Sequence, residues 1–203
     1  MIIVCHRVNT IKQLKKIPYN YGVEVDVRDY NNNLILNHDP FKSGENFLSY
    51  LKHFKHKFII INIKSEGIER RVYKILKQKK IFNFFLLDVS IPFIVKLHKK
   101  LNKKIAIRVS DVEDIKTAKN FKNMLDWAWL DFFKIKKLRL NYLKNLKKLN
   151  YKTCYVSHEL QERKANYKEL NYLKKINSKN FNLDMIIVKK KNIKKWKKFF
   201  NII

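Results

Sequence analysis

Short apolar runs alternate with longer amphipathic segments along this chain. Eight runs rich in β-branched and aromatic residues have the length and composition of buried strands: Ile2–Cys5, Val23–Val27, Phe58–Ile63, Phe84–Val89, Ile105–Val109, Trp127–Phe132, Thr153–Val156 and Met185–Val188. Between them, apolar residues recur at three and four positions over Ile68–Lys80, Ile91–Leu101, Val112–Asn120, Leu138–Leu149, Leu160–Ile176 and Ile193–Phe200, which predicts helices with one buried stripe. Strand followed by helix, repeated in this way, builds a (β/α)8 barrel or a doubly wound sheet, both of the α/β class. No sequence block is duplicated, so the repetition is architectural. With three glycines and three prolines in 203 residues there is no flexible linker, and one domain over residues 1–203 is expected.

Side chains of a barrel strand alternate between the interior and the helix layer, and reactive groups gather at the C-terminal strand ends. Val23, Val25 and Val27 share one face of the second run, which leaves Glu24 and Asp26 together on the other. The chain has only 17 acids, and two of them lie mid-strand among valines, where neither solvation nor helix capping accounts for them. A buried carboxylate pair needs cations or protons to offset its desolvation, so this pair points to a ligand or catalytic role. Asn62 and Lys64 share an inward parity in the third run. Asp88, Arg108, Asp131 and Glu159 stand at later strand ends, where emergence into solvent or helix capping also explains a polar residue.

Composition adds a formal charge of +29, with 46% hydrophobic and 31% charged residues, enough apolar content for a packed interior. The positive field favours anionic substrates or an anionic surface. Lysine is abundant throughout, as biased composition would also produce, and no nucleic-acid module interleaves basic residues with exposed aromatics, so no specific nucleic-acid partner is expected. Cys5 and Cys154 lie in apolar runs and read as reduced core residues. The first residues lack signal-peptide features and no apolar run approaches membrane-spanning length, from which a cytoplasmic, soluble protein is expected. The segment around Trp196, Phe199 and Phe200, rich in lysine, reads either as a helix packing on the core or as a peripheral contact with an anionic membrane.

His6 and Arg7 close the first strand, Glu24 and Asp26 lie in the second, and His38 and Asp39 follow the extended segment of residues 34–37, with Asn62 and Lys64 on the next long strand. This order resembles the glycerophosphodiester phosphodiesterases and the wider phospholipase C-like phosphodiesterase superfamily. Those enzymes carry His-Arg-Gly, Glu-x-Asp, His-Asp and Glu-x-Lys in turn. The motif-bearing part covers residues 3–64, and the strand count extends the likeness to the remainder.

The resemblance implies a compact (β/α)8 TIM barrel that hydrolyses a glycerophosphodiester-like or related small-alcohol phosphodiester. It implies His6 and His38 as the acid/base pair, a role suited to a group that titrates near neutrality. His53, His56, His98 and His158 take the default structural reading. Arg7, with its planar fork, and Lys64, a point charge, would bind phosphate oxygens. Glu24 and Asp26 look like ligands for Mg²⁺ or Ca²⁺, with Asn62 and Asp88 as further donors. Two positions depart from the family pattern: Val8 replaces the glycine after His-Arg, and Asn62 replaces a carboxylate. Outside the family motifs, Arg108 and Glu159 are candidates for binding the alcohol portion of the substrate. The alternative is a phosphate- or metabolite-binding barrel whose catalysis is weakened.

Overall fold

The computed structural model describes residues 1–101, 103–134, 140–161, 167–177 and 183–200. Each of the eight apolar runs contains a strand, since stiff β-branched and broad aromatic side chains pack well on a pleated surface. In chain order the elements are β1 (Ile2–Cys5), α1 (Ile11–Leu14), β2 (Gly22–Tyr30), β3 (Asn33–Leu36), β4 (Glu45–Asn46), α2 (Phe47–Lys52), β5 (Phe58–Ile63), α3 (Glu69–Gln78), β6 (Phe84–Leu87), α4 (Ile91–Leu97), β7 (Ala106–Val109), α5 (Ile115–Asn120), β8 (Trp127–Leu130), α6 (Leu140–Lys148), β9 (Lys152–Val156), α7 (Tyr167–Asn177), β10 (Met185–Val188) and α8 (Ile193–Phe200). The start of the helix expected over 138–149, and residues 162–166 of the one expected over 160–176, lie outside the described residues. The segment read as merely extended, residues 34–37, belongs to a hairpin: β3 pairs antiparallel with both β2 and β4.

The chain divides into two compact units, residues 5–106 and residues 1–4 with 107–203. In the unit of residues 5–106, β2, β5 and β6 form a parallel ladder, with Glu24 opposite Ile60, Asp26 opposite Asn62, and Asn62 opposite Leu87. Because the side-chain period of a strand is two, this register puts Glu24, Asp26 and Asn62 on one face and Val23, Val25, Ile59, Ile61 and Ile63 on the other. Helix α3 buries Val72 and Leu76, one turn apart, and carries Glu69 in its first turn, where a carboxylate suits the helix dipole. Helix α1 is only four residues long and opens on a capping box, in which Thr10 and Gln13 exchange side-chain and backbone hydrogen bonds.

In the other unit, β8, β9 and β10 run parallel, with Trp129 opposite Cys154 and Cys154 opposite Met185. The Asp184 carboxylate accepts from the Thr153 backbone at 2.7 Å and from the Thr153 hydroxyl at 3.1 Å, which locks this register. Helix α8 buries Ile193 and Trp196, so its apolar stripe packs inward, while Lys194, Lys195 and Lys198 stay exposed. Cys5 and Cys154 are both buried. Among the described residues no helix is long and apolar enough to cross a membrane.

Candidate active site

The strongest departure from ordinary core chemistry is on β2. Glu24 and Asp26 are 1% and 0% exposed, on one face of a strand whose other face beside them carries Val23, Val25 and Val27. Burial, then the neighbouring charge of Asp26, pushes the Glu24 carboxyl up from 4.5 to about 8, against the opposing pull of the Arg7 backbone N–H, the Asn62 amide and Lys64. The segment after β1 folds over this pair. Arg7 adopts a left-handed backbone, φ 50°, and its N–H donates to Glu24 Oε2 at 2.7 Å. Val8 N–H then donates to the Glu24 carbonyl at 2.8 Å. The left-handed turn therefore falls on the arginine and leaves Val8 in an ordinary conformation, buried in the unit.

Basic side chains lie beside the two carboxyl groups. His6 Nε2 lies 3.9 Å from Glu24 Oε2, and Arg7 Nε lies 4.0 Å from Asp26 Oδ2. Lys64, whose N–H continues the ladder to the Val27 carbonyl, brings its ammonium to 3.7 Å from Asp26 Oδ1 and 3.3 Å from Asp88 Oδ2. Asp88 thus engages Lys64, from a left-handed position (φ 58°) directly after β6. His38 stands on the loop between β3 and β4. The preceding residue, Asn37, donates its N–H to the Asp26 carbonyl at 3.0 Å, which ties the base of this loop to β2. The His38 ring meets Asp39 Oδ1 at 3.0 Å, and Asp39 also accepts from Lys42 at 2.9 Å. Those two partners, His38 first, lower the Asp39 carboxyl to about 2.

Three residues important to this geometry escaped the sequence reading. Asn9 grips Asp26 twice: its Nδ2 donates to Asp26 Oδ2 at 2.8 Å and its Oδ1 accepts from Asp26 N–H at 2.9 Å. Arg28, two residues beyond Asp26, donates to the backbone carbonyls of His38 and Lys64. Gly44 closes the loop carrying His38 against the end of β3, where a Cβ would meet the Leu36 carbonyl oxygen at 2.4 Å. The one signal for Arg28 was its parity with Glu24 and Asp26; Asn9 and Gly44 sit in loops, where polar residues and glycine are ordinary.

Arg108 and Glu159 belong to the unit of residues 1–4 and 107–203, and each is engaged there. Arg108 pairs with Asp131 and, at 3.7 Å, with Glu113. Asp131 also accepts from Trp129 Nε1 at 3.4 Å and from Gln161. Glu159 accepts from the Lys189 backbone N–H at 2.7 Å and from Asn192, tying the turn after β9 to the segment after β10.

The oxygen atoms on β2 and β5 test whether a hard divalent cation suits the site. Asp26 Oδ1 and Asn62 Oδ1 are both buried, have no hydrogen-bond partner among the described residues, and lie on residues opposite one another in the ladder. Asn62 Nδ2 donates to Glu24 Oε1 at 3.1 Å, joining the two side chains. Among the described residues no group of three or more His, Cys, Asp and Glu converges, so a cation held here would draw its third protein oxygen from the Asn62 amide. Mg²⁺ commonly takes one or two protein carboxylates and fills its remaining positions with water and phosphate oxygen, and Glu24, Asp26 and Asn62 fit that requirement.

The sequence matches no family model and no curated protein. Solved structures do match. A glycerophosphodiester phosphodiesterase from Agrobacterium tumefaciens superposes with a TM-score of 0.65 at 12% identity, over 93% of this chain and 95% of that one. One described as putative, from Galdieria sulphuraria, gives 0.63 at 11% identity, over 92% of each chain. A glycerophosphoryl diester phosphodiesterase from Parabacteroides distasonis gives 0.61 at 9% identity, over 92% of this chain and 81% of that one. The chain shares the α/β, (β/α)8-barrel fold of these proteins, as the alternation of strands and helices and the order of its short motifs led one to expect.

Proposed function

We propose, from this shared fold and from the cluster on β2, that residues 1–203 act as a single phosphodiester hydrolase domain on a glycerophosphodiester-like or related small-alcohol phosphodiester. The observation that carries the reading is the gathering of three basic side chains, His6, Arg7 and Lys64, beside two fully buried carboxyl groups at one end of a parallel ladder. Charge of both signs concentrated there, at a desolvation cost, suits a reaction in which negative charge moves on a phosphoryl group.

In this reading Arg7 and Lys64 hold the non-bridging phosphate oxygens. Of His6 and His38, one takes the proton of the attacking hydroxyl, either water or a neighbouring hydroxyl of the substrate, and the other protonates the leaving alcohol oxygen. A phosphorus–oxygen bond forms to the nucleophile as the bond to the leaving oxygen breaks. Glu24, Asp26 and Asn62 would hold a divalent cation, Mg²⁺ or Ca²⁺, which when bound would neutralise charge on the phosphoryl oxygens. Asp88 fixes Lys64. The exposed lysines of α8 are assigned to peripheral contact with anionic lipid.

The test is turnover of a generic aryl phosphodiester by the protein and by His6→Ala and His38→Ala variants. Removing either acid/base group is expected to lower kcat about a hundred- to ten-thousand-fold with the circular dichroism spectrum unchanged. Wild-type turnover in both variants would refute the assignment. A second reading, a phosphate-binding barrel of weakened catalysis, draws on the amide at Asn62 where the resembled family has a carboxylate. It would show calorimetric binding of a phosphate ester to a wild-type protein that does not turn the ester over.

A further inference from the structure

Arg28 is 9% exposed, and its side chain lies on the same face of β2 as Glu24 and Asp26. A buried guanidinium ordinarily has a carboxylate partner, because an unpaired buried charge is costly. Among the described residues Arg28 makes no ion pair. It donates instead to two main-chain oxygens: Nη1 to the His38 carbonyl at 3.3 Å and Nη2 to the Lys64 carbonyl at 3.3 Å. The two carbonyls come from segments remote in sequence, the loop after β3 and the end of β5, and both belong to residues assigned to the reacting phosphate.

We propose that Arg28 is a positioning residue that sets the separation of His38 from Lys64 by holding both backbones in one planar fork. The assignment rests on the reading of His38 as an acid/base group and Lys64 as a phosphate ligand. The chemistry requires arginine. A rigid fork with several donors spans two acceptors at once, whereas a lysine ammonium on a flexible stem keeps the charge and loses the defined spacing. Neighbouring contacts anchor the fork's own position: Arg28 lies opposite Ile35 in the β2–β3 ladder, Lys64 N–H donates to the Val27 carbonyl at 2.9 Å, and Asp29 N–H donates to Ser65 Oγ at 3.4 Å. The side chain therefore joins a fixed strand to the two segments that emerge beside it.

The experiment compares wild type with Arg28→Lys and Arg28→Met, using steady-state turnover of an aryl phosphodiester and amide hydrogen exchange. If Arg28 positions His38 and Lys64, both variants lose kcat, on the order of a hundredfold, with KM held within a few-fold, since a small misplacement of reacting groups slows the chemical step. Exchange should accelerate over residues 37–44 and 64–67 in both. Retention of wild-type kcat in Arg28→Lys would overturn the proposal, because charge alone would then suffice. Absence of turnover in wild type would count against the phosphodiesterase reading; the positioning role is then decided by exchange, where unchanged protection of both segments in Arg28→Lys overturns it. Arg28→Lys carries the test should Arg28→Met fail to fold.

Discussion

At the scale of single residues, the molecule concentrates its electrostatic cost at Glu24. The folded-state pKa is raised from 4.5 to about 8, so the folded protein binds more protons than the unfolded chain between those values. The sign follows: this group leaves stability intact below about pH 4.5 and removes it progressively as pH rises toward about 8. Thermal unfolding without added metal is expected to show a falling midpoint across that window, and Glu24→Gln to flatten the slope; an equal slope in the variant would contradict the account. Asn9→Asp keeps an acceptor for the Asp26 N–H but replaces the donor that faces Asp26 Oδ2 by a second carboxylate. Mg²⁺ affinity measured by calorimetry is expected to change about ten- to a hundredfold, as for other residues that orient a ligand, and an unchanged affinity would show that the grip on Asp26 has no bearing on a cation. Glu24 and Asp26 were legible in the sequence because a strand's period of two separates faces without any knowledge of partners. Asn9 was not, because its significance lies wholly in a contact across 17 positions.

At the scale of elements, the loop carrying His38 is held by the hairpin rather than by the barrel-type ladder. Its base is tied by Asn37 to the Asp26 carbonyl, and its span is closed by Asn37 Nδ2 donating to the Ser43 carbonyl at 2.7 Å. Gly44 permits that closure. In Gly44→Ala the new Cβ would stand 2.4 Å from the Leu36 oxygen and 3.2 Å from Asn37 Cβ, so the backbone must move where the loop begins. The expected result is a clear loss of kcat with a smaller change in unfolding midpoint, read by steady-state kinetics beside calorimetry; an unaltered kcat would detach His38 from catalysis. The sequence revealed the eight strands of the α/β repeat because each is a distinct apolar run. It did not reveal the hairpin pairing of β3 and β4 or the helices α1 and α2, which are four and six residues long and too short to show a period.

At the scale of the whole molecule, the charge of +29 and the barrel-type fold are compatible with many functions, and neither selects one. The proposed function draws on a motif order read from the first third of the chain together with a fold shared, at 8 to 12% identity, with glycerophosphodiester phosphodiesterases. At such identity the fold persists while individual side chains are free to change, and Asn62 and Val8 are two places where this chain differs from the motif pattern it resembles. On the proposed function a phosphodiester is cleaved at the cluster on β2. Phosphorus NMR of a simple glycerophosphodiester incubated with the protein and Mg²⁺ tests it most directly. The expected result is loss of the diester resonance with growth of a monoester or cyclic phosphate resonance, both absent with His6→Ala. A diester signal that persists with wild-type protein across a panel of small-alcohol diesters would contradict the account.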